Sequence, residues 1–165
     1  NNAIAYSDWS ISIGTSVNDA DASRFKAVTI GNNLSTAQYT VNIGNSQNAY
    51  GGDGVCIGGS NVFGENYNVL LGYGNSVGIY PNQVVIGTGS TGQYQDSVVI
   101  GNTSASGASG AVALGSGITA SRENTVSVNE LETKVVGGGI IMYSPDGTAY
   151  KLTVANGGTL VITGI

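Results

Sequence analysis

The chain has 165 residues, with 27 glycines, 2 prolines, no histidine, 9% charged residues and a formal net charge of −5. Its five basic residues are too few and too scattered to form a nucleic-acid-binding patch, and no apolar run is long enough to span a membrane. The absence of histidine excludes histidine-based catalytic triads and removes the commonest transition-metal ligand. Abundant Val and Ile with little charge indicate an ordered chain.

A five-residue pattern recurs along the first 129 residues: a small or polar residue, a β-branched residue, a variable residue, Ile or Leu, and glycine. The copies are Ser10–Gly14, Ala27–Gly31, Thr40–Gly44, Gly54–Gly58, Asn68–Gly72, Gln83–Gly87, Ser97–Gly101, Ala111–Gly115 and, with Asn in place of Gly, Thr125–Asn129. The gaps between successive glycines are 17, 13, 14, 14, 15, 14 and 14 residues. A short, nearly fixed period is typical of a solenoid in which each repeat is one coil resting on the next. We therefore predict an all-β fold with a parallel β-roll over residues 1–129.

Two aliphatic ladders run through the copies, three residues and one residue before the glycine. Because strand side chains alternate with a period of two, both ladders share one face. We expect this face to be the interior of the coil, with Val98 and Ile100 inside, so that Ile100→Ala costs about 2–5 kcal/mol. The variable residue between the ladders points the other way and is apolar from Cys56 to Ala113. We expect this variable face to meet another surface.

The glycine is predicted to end each strand at a corner with positive φ. Polar connectors such as Asn45–Asp53 and Thr88–Asp96 are long enough for a turn and a short return strand. With only two inward residues per coil the core would be thin, and Cys56, the only cysteine, allows no internal disulfide. We interpret Cys56 itself as a small packing residue. The sequence thus predicts an obligate parallel homotrimer that associates through the variable face.

The repeats resemble the head domains of trimeric autotransporter adhesins, whose coils carry a Ser-Val-Ala-Ile-Gly type of motif. The likeness covers roughly residues 10–129 and is seen in Ala27–Gly31, Ser97–Gly101, Ala111–Gly115 and Asn124–Val128. It implies a parallel homotrimer of left-handed β-rolls, presented on a surface for attachment.

The rest of the chain departs from that family. We predict a linker over residues 130–139 and a small antiparallel meander over residues 140–165, with strands at Ile140–Ser144, Tyr150–Val154 and Leu160–Ile165. The segment Ser144–Val154 resembles the terminal segments of bacteriophage tail fibre and tail-tip proteins. The two resemblances together imply an adhesin-like shaft on a phage fibre, located in the virion. We expect the chain to be a fragment of a longer protein. The alternative is the head of a bacterial adhesin at the cell surface.

Several short motifs carry no chemistry. Gly87–Gly92 spells the dinucleotide fingerprint, but a turn and a strand follow where that site needs a helix. Gly51–Gly54 matches a calcium-binding roll only once, and Asn18–Asp21 is interpreted as a solvated loop. The acidic residues form no glycosidase-type pair in the sequence. We predict no enzyme activity, no cofactor and no metal, with a phage polysaccharide depolymerase as a further alternative.

Tyrosines recur six to nine residues after the glycine in five consecutive connectors, at Tyr39, Tyr50, Tyr67, Tyr80 and Tyr94. They either pack on neighbouring coils and subunits or form a strip of ring faces suited to a sugar or a protein. We predict that a bacterial surface glycan or an outer-membrane protein binds this strip. The predicted contacts are Tyr50, Tyr67, Tyr80 and Tyr94, with Tyr143, Tyr150 and Lys151 as a competing site at the chain end.

Overall fold

The computed structural model describes residues 3–4, 10–19, 27–37, 39–50, 52–64, 67–132, 134 and 138–165. The chain divides into two compact units, Asn1–Asn129 and Glu130–Ile165. Within the described ranges the secondary structure is strand and turn, without helix. No helix long and apolar enough to cross a membrane is therefore found in those ranges.

The strands of the first unit are short and closely spaced along the chain. They are β1 (Ala3–Ile4), β2 (Ile11–Asp19), β3 (Val28–Thr36), β4 (Val41–Asn45), β5 (Asn48–Ala49), β6 (Val55–Gly59), β7 (Val62–Phe63), β8 (Val69–Tyr73), β9 (Ser76–Val77), β10 (Val84–Thr88), β11 (Thr91–Gly92), β12 (Val98–Asn102), β13 (Ala105–Ser106), β14 (Val112–Leu114), β15 (Thr119–Ala120) and β16 (Val126–Val128). The second unit contains β17 (Ile140–Tyr143), β18 (Ala149–Val154) and β19 (Leu160–Gly164).

The first unit is a parallel β-solenoid. Its long strands pair in the order β2, β3, β4, β6, β8, β10, β12, β14, β16, and the short return strands β5, β7, β9, β11, β13 and β15 pair in a second parallel series that starts from β3. The register follows the repeat, so that Val84 pairs with Val98 and Gly87 with Gly101. The predicted solenoid of about 14-residue coils, each with one long and one short strand, is confirmed.

The predicted assignment of the two strand faces is wrong. The variable residues between the aliphatic ladders point into the coil, and seven of them are no more than 1% exposed: Thr29, Asn42, Cys56, Leu70, Val85, Val99 and Ala113. Val98 is only half-buried, and Ile100 is 42% exposed. The face from Cys56 to Ala113 is therefore the core of the solenoid, not a surface that meets another copy.

The interior differs from the prediction because it is narrow and has four inward positions per coil rather than two. In one coil these are Gln83 and Val85 on the long strand side, and Ser90 and Gly92 on the return side, all buried. A methyl group added to Gly92 would lie 2.2 Å from Gln83 Oε1 and 3.1 Å from Val85 Cγ2, so the two walls touch. Two ladders of large β-branched side chains on one wall would overfill this space, whereas small and polar residues of mixed size fit it.

Buried polar side chains at one inner corner form a hydrogen-bonded column along the solenoid. Asn75 Nδ2 donates to the carbonyl oxygens of Leu71 in its own coil and Gly87 in the next, at 3.1 and 2.8 Å. Asn75 Oδ1 accepts from the backbone N–H of Ser90 at 3.0 Å. Asn61 repeats these contacts one coil earlier. Ser90 and Ser104 take the corresponding positions in the next two coils, where each hydroxyl donates to the glycine carbonyl of the following coil and accepts from a backbone N–H of that coil. The column satisfies corner backbone groups that would otherwise be buried without partners.

The repeated glycine is required by the distance between coils. At Gly87, φ is +145°, and an added Cβ would lie 1.6 Å from the carbonyl oxygen of Gly101. The strand does not end there as predicted, because β10 continues to Thr88. The turn follows at the second residue after the glycine, where Ser46 and Thr103 take φ values of 54° and 53°.

The second unit is a three-stranded antiparallel sheet in the order β17-β18-β19, so the predicted meander is confirmed. Asp146 organises the turn between β17 and β18. Its carboxylate accepts hydrogen bonds from the Ser144 hydroxyl and, at 3.0 Å, from the backbone N–H of Thr148. These bonds, that of Ser144 first, lower the pKa of Asp146 from 3.8 to about 2.

The inner position of Leu70 gives a stability test of the corrected faces. Leu70 is fully buried, so Leu70→Ala should lower the free energy of unfolding by about 2–5 kcal/mol, measured by denaturant unfolding at fixed protein concentration. Ile79→Ala is the control, because Ile79 lies outside the strands and is 77% exposed, and it should change that free energy by about 0.5 kcal/mol or less. Equal effects of the two substitutions would contradict the assigned interior.

Candidate receptor-binding surface

The five connector tyrosines are all exposed, between 38% and 62%. They lie in the segments that lead from a return strand into the next long strand, so they line one edge of the solenoid. Tyr39 and Tyr67 have φ values of 53° and 60°, in the left-handed region where tyrosine is uncommon. No connector tyrosine is part of the buried core.

Tyr80 and Tyr94 occupy equivalent places in consecutive coils and stack on each other, with ring centroids 5.9 Å apart and planes 10° from parallel. Among the described residues this is the single stacked ring pair. A buried side chain three residues later anchors each backbone: Gln83 Nε2 donates to the carbonyl of Tyr80, and Ser97 Oγ donates to that of Tyr94 at 2.7 Å. The backbone that carries each ring is therefore hydrogen-bonded to a buried side chain of the coil.

A polar pair lies beside the stacked rings in the same two coils. Asn82 Nδ2 donates to Asp96 Oδ1 at 3.0 Å, and both side chains are exposed. Their φ values of 60° and 58° place them at the corner that precedes each long strand. A flat aromatic surface with amide and carboxylate groups next to it provides both stacking and hydrogen-bonding chemistry.

The competing site at the chain end is divided between the two faces of the C-terminal sheet. Ile141 pairs with Lys151, and Met142 pairs with Tyr150. Tyr143 and Lys151 therefore share one face, whereas Tyr150 lies on the opposite face. These three residues do not form one contact surface within the sheet.

A long exposed apolar surface lies on the side of the strands that the sequence predicted to be the interior. We call it the aliphatic stripe: two outward side chains from each long strand, none of them buried. Its residues are Ile11, Ile13, Val28, Ile30, Val41, Ile43, Val55, Ile57, Val69, Leu71, Val84, Ile86, Val98, Ile100, Val112, Leu114, Val126 and Val128. It contains no charged or polar side chain, and contiguous apolar patches of more than a few hundred Å² are rare on monomeric soluble proteins.

A mostly polar rim follows the stripe along one edge, at the residue after each glycine. It includes Thr15, Asn32, Asn45, Thr88 and Asn102, all exposed, and Thr15 Oγ1 donates to Asn32 Oδ1 at 2.8 Å. Tyr73 is the aromatic member of the rim, 61% exposed and lying against Gly59 of the preceding coil. Tyr73 was not among the tyrosines predicted from the sequence to bind a receptor, because it lies within a strand and not in a connector. An apolar centre with a polar rim is the usual anatomy of a protein interface.

The dinucleotide-like motif lacks the geometry of such a site. Gly87–Gly92 spans the end of β10, a turn and β11, with no helix. Within the described ranges, no group of three or more potential metal ligands comes together. The side chains of Asn18–Asp21 lie outside the described residues, as does Gly51 of the Gly51–Gly54 motif.

Cys56 is fully buried in the interior of the solenoid, and its thiol donates to Gln47 Oε1 at 2.9 Å. Burial raises the pKa of the Cys56 thiol from 9.0 to about 12, which exceeds the opposing effect of a hydrogen bond with Asn61. The thiol stays protonated at neutral pH and is a packing group, as interpreted from the sequence.

Comparison of the chain with models of protein families, with curated proteins and with solved structures found no match.

The buried thiol makes a prediction for chemical labelling. Since only the thiolate reacts, native Cys56 should remain unmodified by iodoacetamide at pH 8, while the denatured chain is alkylated fully, as measured by intact mass. The free energy of unfolding should also fall as the pH rises from about 9 to 12, because the unfolded thiol loses its proton first. Cys56→Ser serves as the control that lacks this thiol ionisation. Rapid labelling of the native chain would show that Cys56 is accessible.

Proposed function

We propose that this chain is part of a fibrous attachment protein, the distal part of a phage tail fibre, that assembles as a parallel homotrimer and binds a bacterial surface receptor without catalysis. The observation that carries the proposal is the aliphatic stripe. The resemblance of the repeats to adhesin heads, and of Ser144–Val154 to tail fibre ends, supports the assignment to attachment.

The aliphatic stripe supports self-association. Contiguous apolar patches on monomers rarely exceed a few hundred Å², and a stable interface buries about 800 Å² per partner with about 20–30 residues. The 18 stripe residues with their polar rim approach that residue number. Because successive coils repeat the same outward pair, the stripe of a second copy in parallel register presents the same surface at every level.

The composition of the core supports the same conclusion. Among the side chains that the structure describes, the large apolar ones buried in the solenoid interior are few: Leu34, Leu70, Val85 and Val99, with Ile118 slightly less buried. Much of the remaining interior is Ala, Ser, Thr, Asn and Gln. Hydrophobic stabilisation scales with buried apolar area, so covering the stripe would add a second core between the subunits. Three chains around one axis would cover every stripe and leave the connectors outside.

The exposed connector tyrosines support receptor contact on this scaffold. Tyr50 and Tyr67 are more than half exposed, and Tyr80 and Tyr94 form the stacked pair, two residues before Asn82 and Asp96 respectively. Tyrosine offers contact area at low entropic cost, and the polar pair can hydrogen-bond sugar hydroxyls or peptide groups. A trimer would present each contact three times, which raises avidity without new contacts. A bacterial surface glycan or an outer-membrane protein fits this chemistry.

Assembly through the stripe is tested by placing a charge in the stripe and, as a control, the same charge away from it. Ile86→Asp places a carboxylate in the stripe, whereas Ile79→Asp makes the same change at an exposed residue outside the strands. In analytical ultracentrifugation at micromolar concentration, the unchanged protein and Ile79→Asp should sediment as trimers. Ile86→Asp should raise the protein concentration at which half of the chains are assembled by about 100-fold or more, because an unpaired buried charge costs several kcal/mol. A monomeric unchanged protein would contradict the proposal.

Receptor contact is tested by removing the strip rings. Changing Tyr50, Tyr67, Tyr80 and Tyr94 together to Ser should reduce binding to whole cells by at least about tenfold while the sedimentation and melting temperature stay unchanged. Tyr73→Ser removes an equally exposed ring outside the connectors and should leave binding intact. Retained binding that is lost instead in Tyr143→Ser with Lys151→Ser would place the receptor site on the C-terminal sheet. Competition by extracted lipopolysaccharide then separates a glycan from a protein receptor.

A further inference from the structure

We propose that the C-terminal sheet is a second self-association unit, whose apolar face packs against the same face of other copies of this chain and which is folded only in that assembly. The inference goes beyond receptor attachment and holds whether or not the solenoid binds cells. Its basis is the uneven distribution of side chains over the two faces of β17, β18 and β19.

The register places apolar side chains on one face of the sheet. Ile140 pairs with Leu152 and Leu152 with Ile162, Met142 pairs with Tyr150, and Val154 pairs with Leu160. The alternation of strand side chains puts these seven residues on one side, which we call the C-terminal apolar face. The other face is mixed and carries Ile141, Tyr143, Ala149, Lys151, Thr153, Val161 and Thr163.

No side chain in residues 138–165 is buried. On the C-terminal apolar face Val154, Leu160 and Ile162 are each about two-thirds exposed. Domains are built from at least two packed layers because a sheet must bury its apolar face against another element. A single layer of three short strands with every apolar side chain open to solvent lacks that second layer.

The residues of this unit also have few means of stabilising one another. The unit spans Glu130–Ile165, and units below about 40 residues usually need a disulfide, a metal or oligomerisation. The only cysteine of the chain is Cys56, in the other unit, so a disulfide within the sheet is impossible. In the described part of the unit the potential ligands form no metal-binding group. Of these three means, oligomerisation is the one that the described residues of the unit support.

The occupant that the face fits is a further copy of itself. The face carries no charge and, apart from the Tyr150 hydroxyl, no polar group with which a foreign partner could be selected. Closed homo-oligomers bring the same patch of each copy together, so an apolar face that packs on itself is complementary by symmetry. Cyclic packing of copies around an axis would give each sheet its second layer.

Cross-linking on the full chain tests which face meets another copy. Leu152→Cys points from the apolar face, and Thr153→Cys, the next residue of the same central strand, points from the other face. Cys56 is buried with a raised pKa, so the introduced cysteine is the reactive thiol. With a short bis-maleimide at micromolar protein concentration, Leu152→Cys should give covalent oligomers at least tenfold more efficiently than Thr153→Cys. Equal yields from both variants would overturn the proposal.

A second measurement separates this assembly from that of the solenoid. In hydrogen exchange, amides of residues 140–164 should be protected in the full chain and in Thr163→Asp. They should exchange as an unfolded segment in Ile162→Asp, since Ile162 and Thr163 are neighbours on opposite faces. Leu152→Cys cross-linking should persist when Ile86→Asp disrupts the aliphatic stripe. Protection that survives in Ile162→Asp, or cross-linking that disappears with Ile86→Asp, would show that the sheet does not assemble by itself.

Discussion

Close stacking of backbone on backbone is the constraint on which the solenoid depends. Consecutive coils approach so closely at the repeated glycine that even one methyl group on Gly87 would overlap the carbonyl of Gly101. At the adjacent corner the Asn75 side chain bridges its own coil and the next through hydrogen bonds with main-chain groups of both. Because these contacts repeat along the unit, the coils stay in register. Each position of the repeat then becomes a continuous column of similar side chains.

Those columns divide the molecule into surfaces with different physical roles. The inner columns combine Leu, Val and Ala with hydrogen-bonded Asn, Gln and Ser, since the walls touch and corner groups need partners. The outward column of the long strands is uniformly aliphatic, and the connector edge carries the exposed tyrosines. The interior is thin and partly polar and the outer face is apolar, which is the reverse of the arrangement in a monomeric globular protein. It supports the proposal that much of the hydrophobic stabilisation arises between subunits.

Both units expose apolar side chains to solvent, but they differ in how much interior they have. The solenoid has a buried interior that defines its coils, and the aliphatic stripe lies outside that interior. The C-terminal sheet has no buried side chain in residues 138–165, so its stability depends wholly on what covers it. If both surfaces associate as proposed, folding and assembly are coupled and the stability of the protein depends on its concentration. The copies in the assembly would then contact one another at two places along the chain.

The sequence by itself determined the solenoid, its 14-residue period, the return strands and the terminal meander, because glycine spacing, strand alternation and turn residues are local signals. It also located a row of tyrosines in the connectors. Only the tertiary structure decided which side of each strand is inside. Alternation shows that Leu70 and Leu71 face opposite ways, but both are apolar, and the choice depends on the width of the coil and on polar partners from neighbouring coils. Strand register also decided two features of the tyrosines. It places Tyr80 next to Tyr94 in consecutive coils, where their rings stack, and it places Tyr150 on the opposite face of the sheet from Tyr143 and Lys151. The spacing of these residues in the sequence does not show either arrangement.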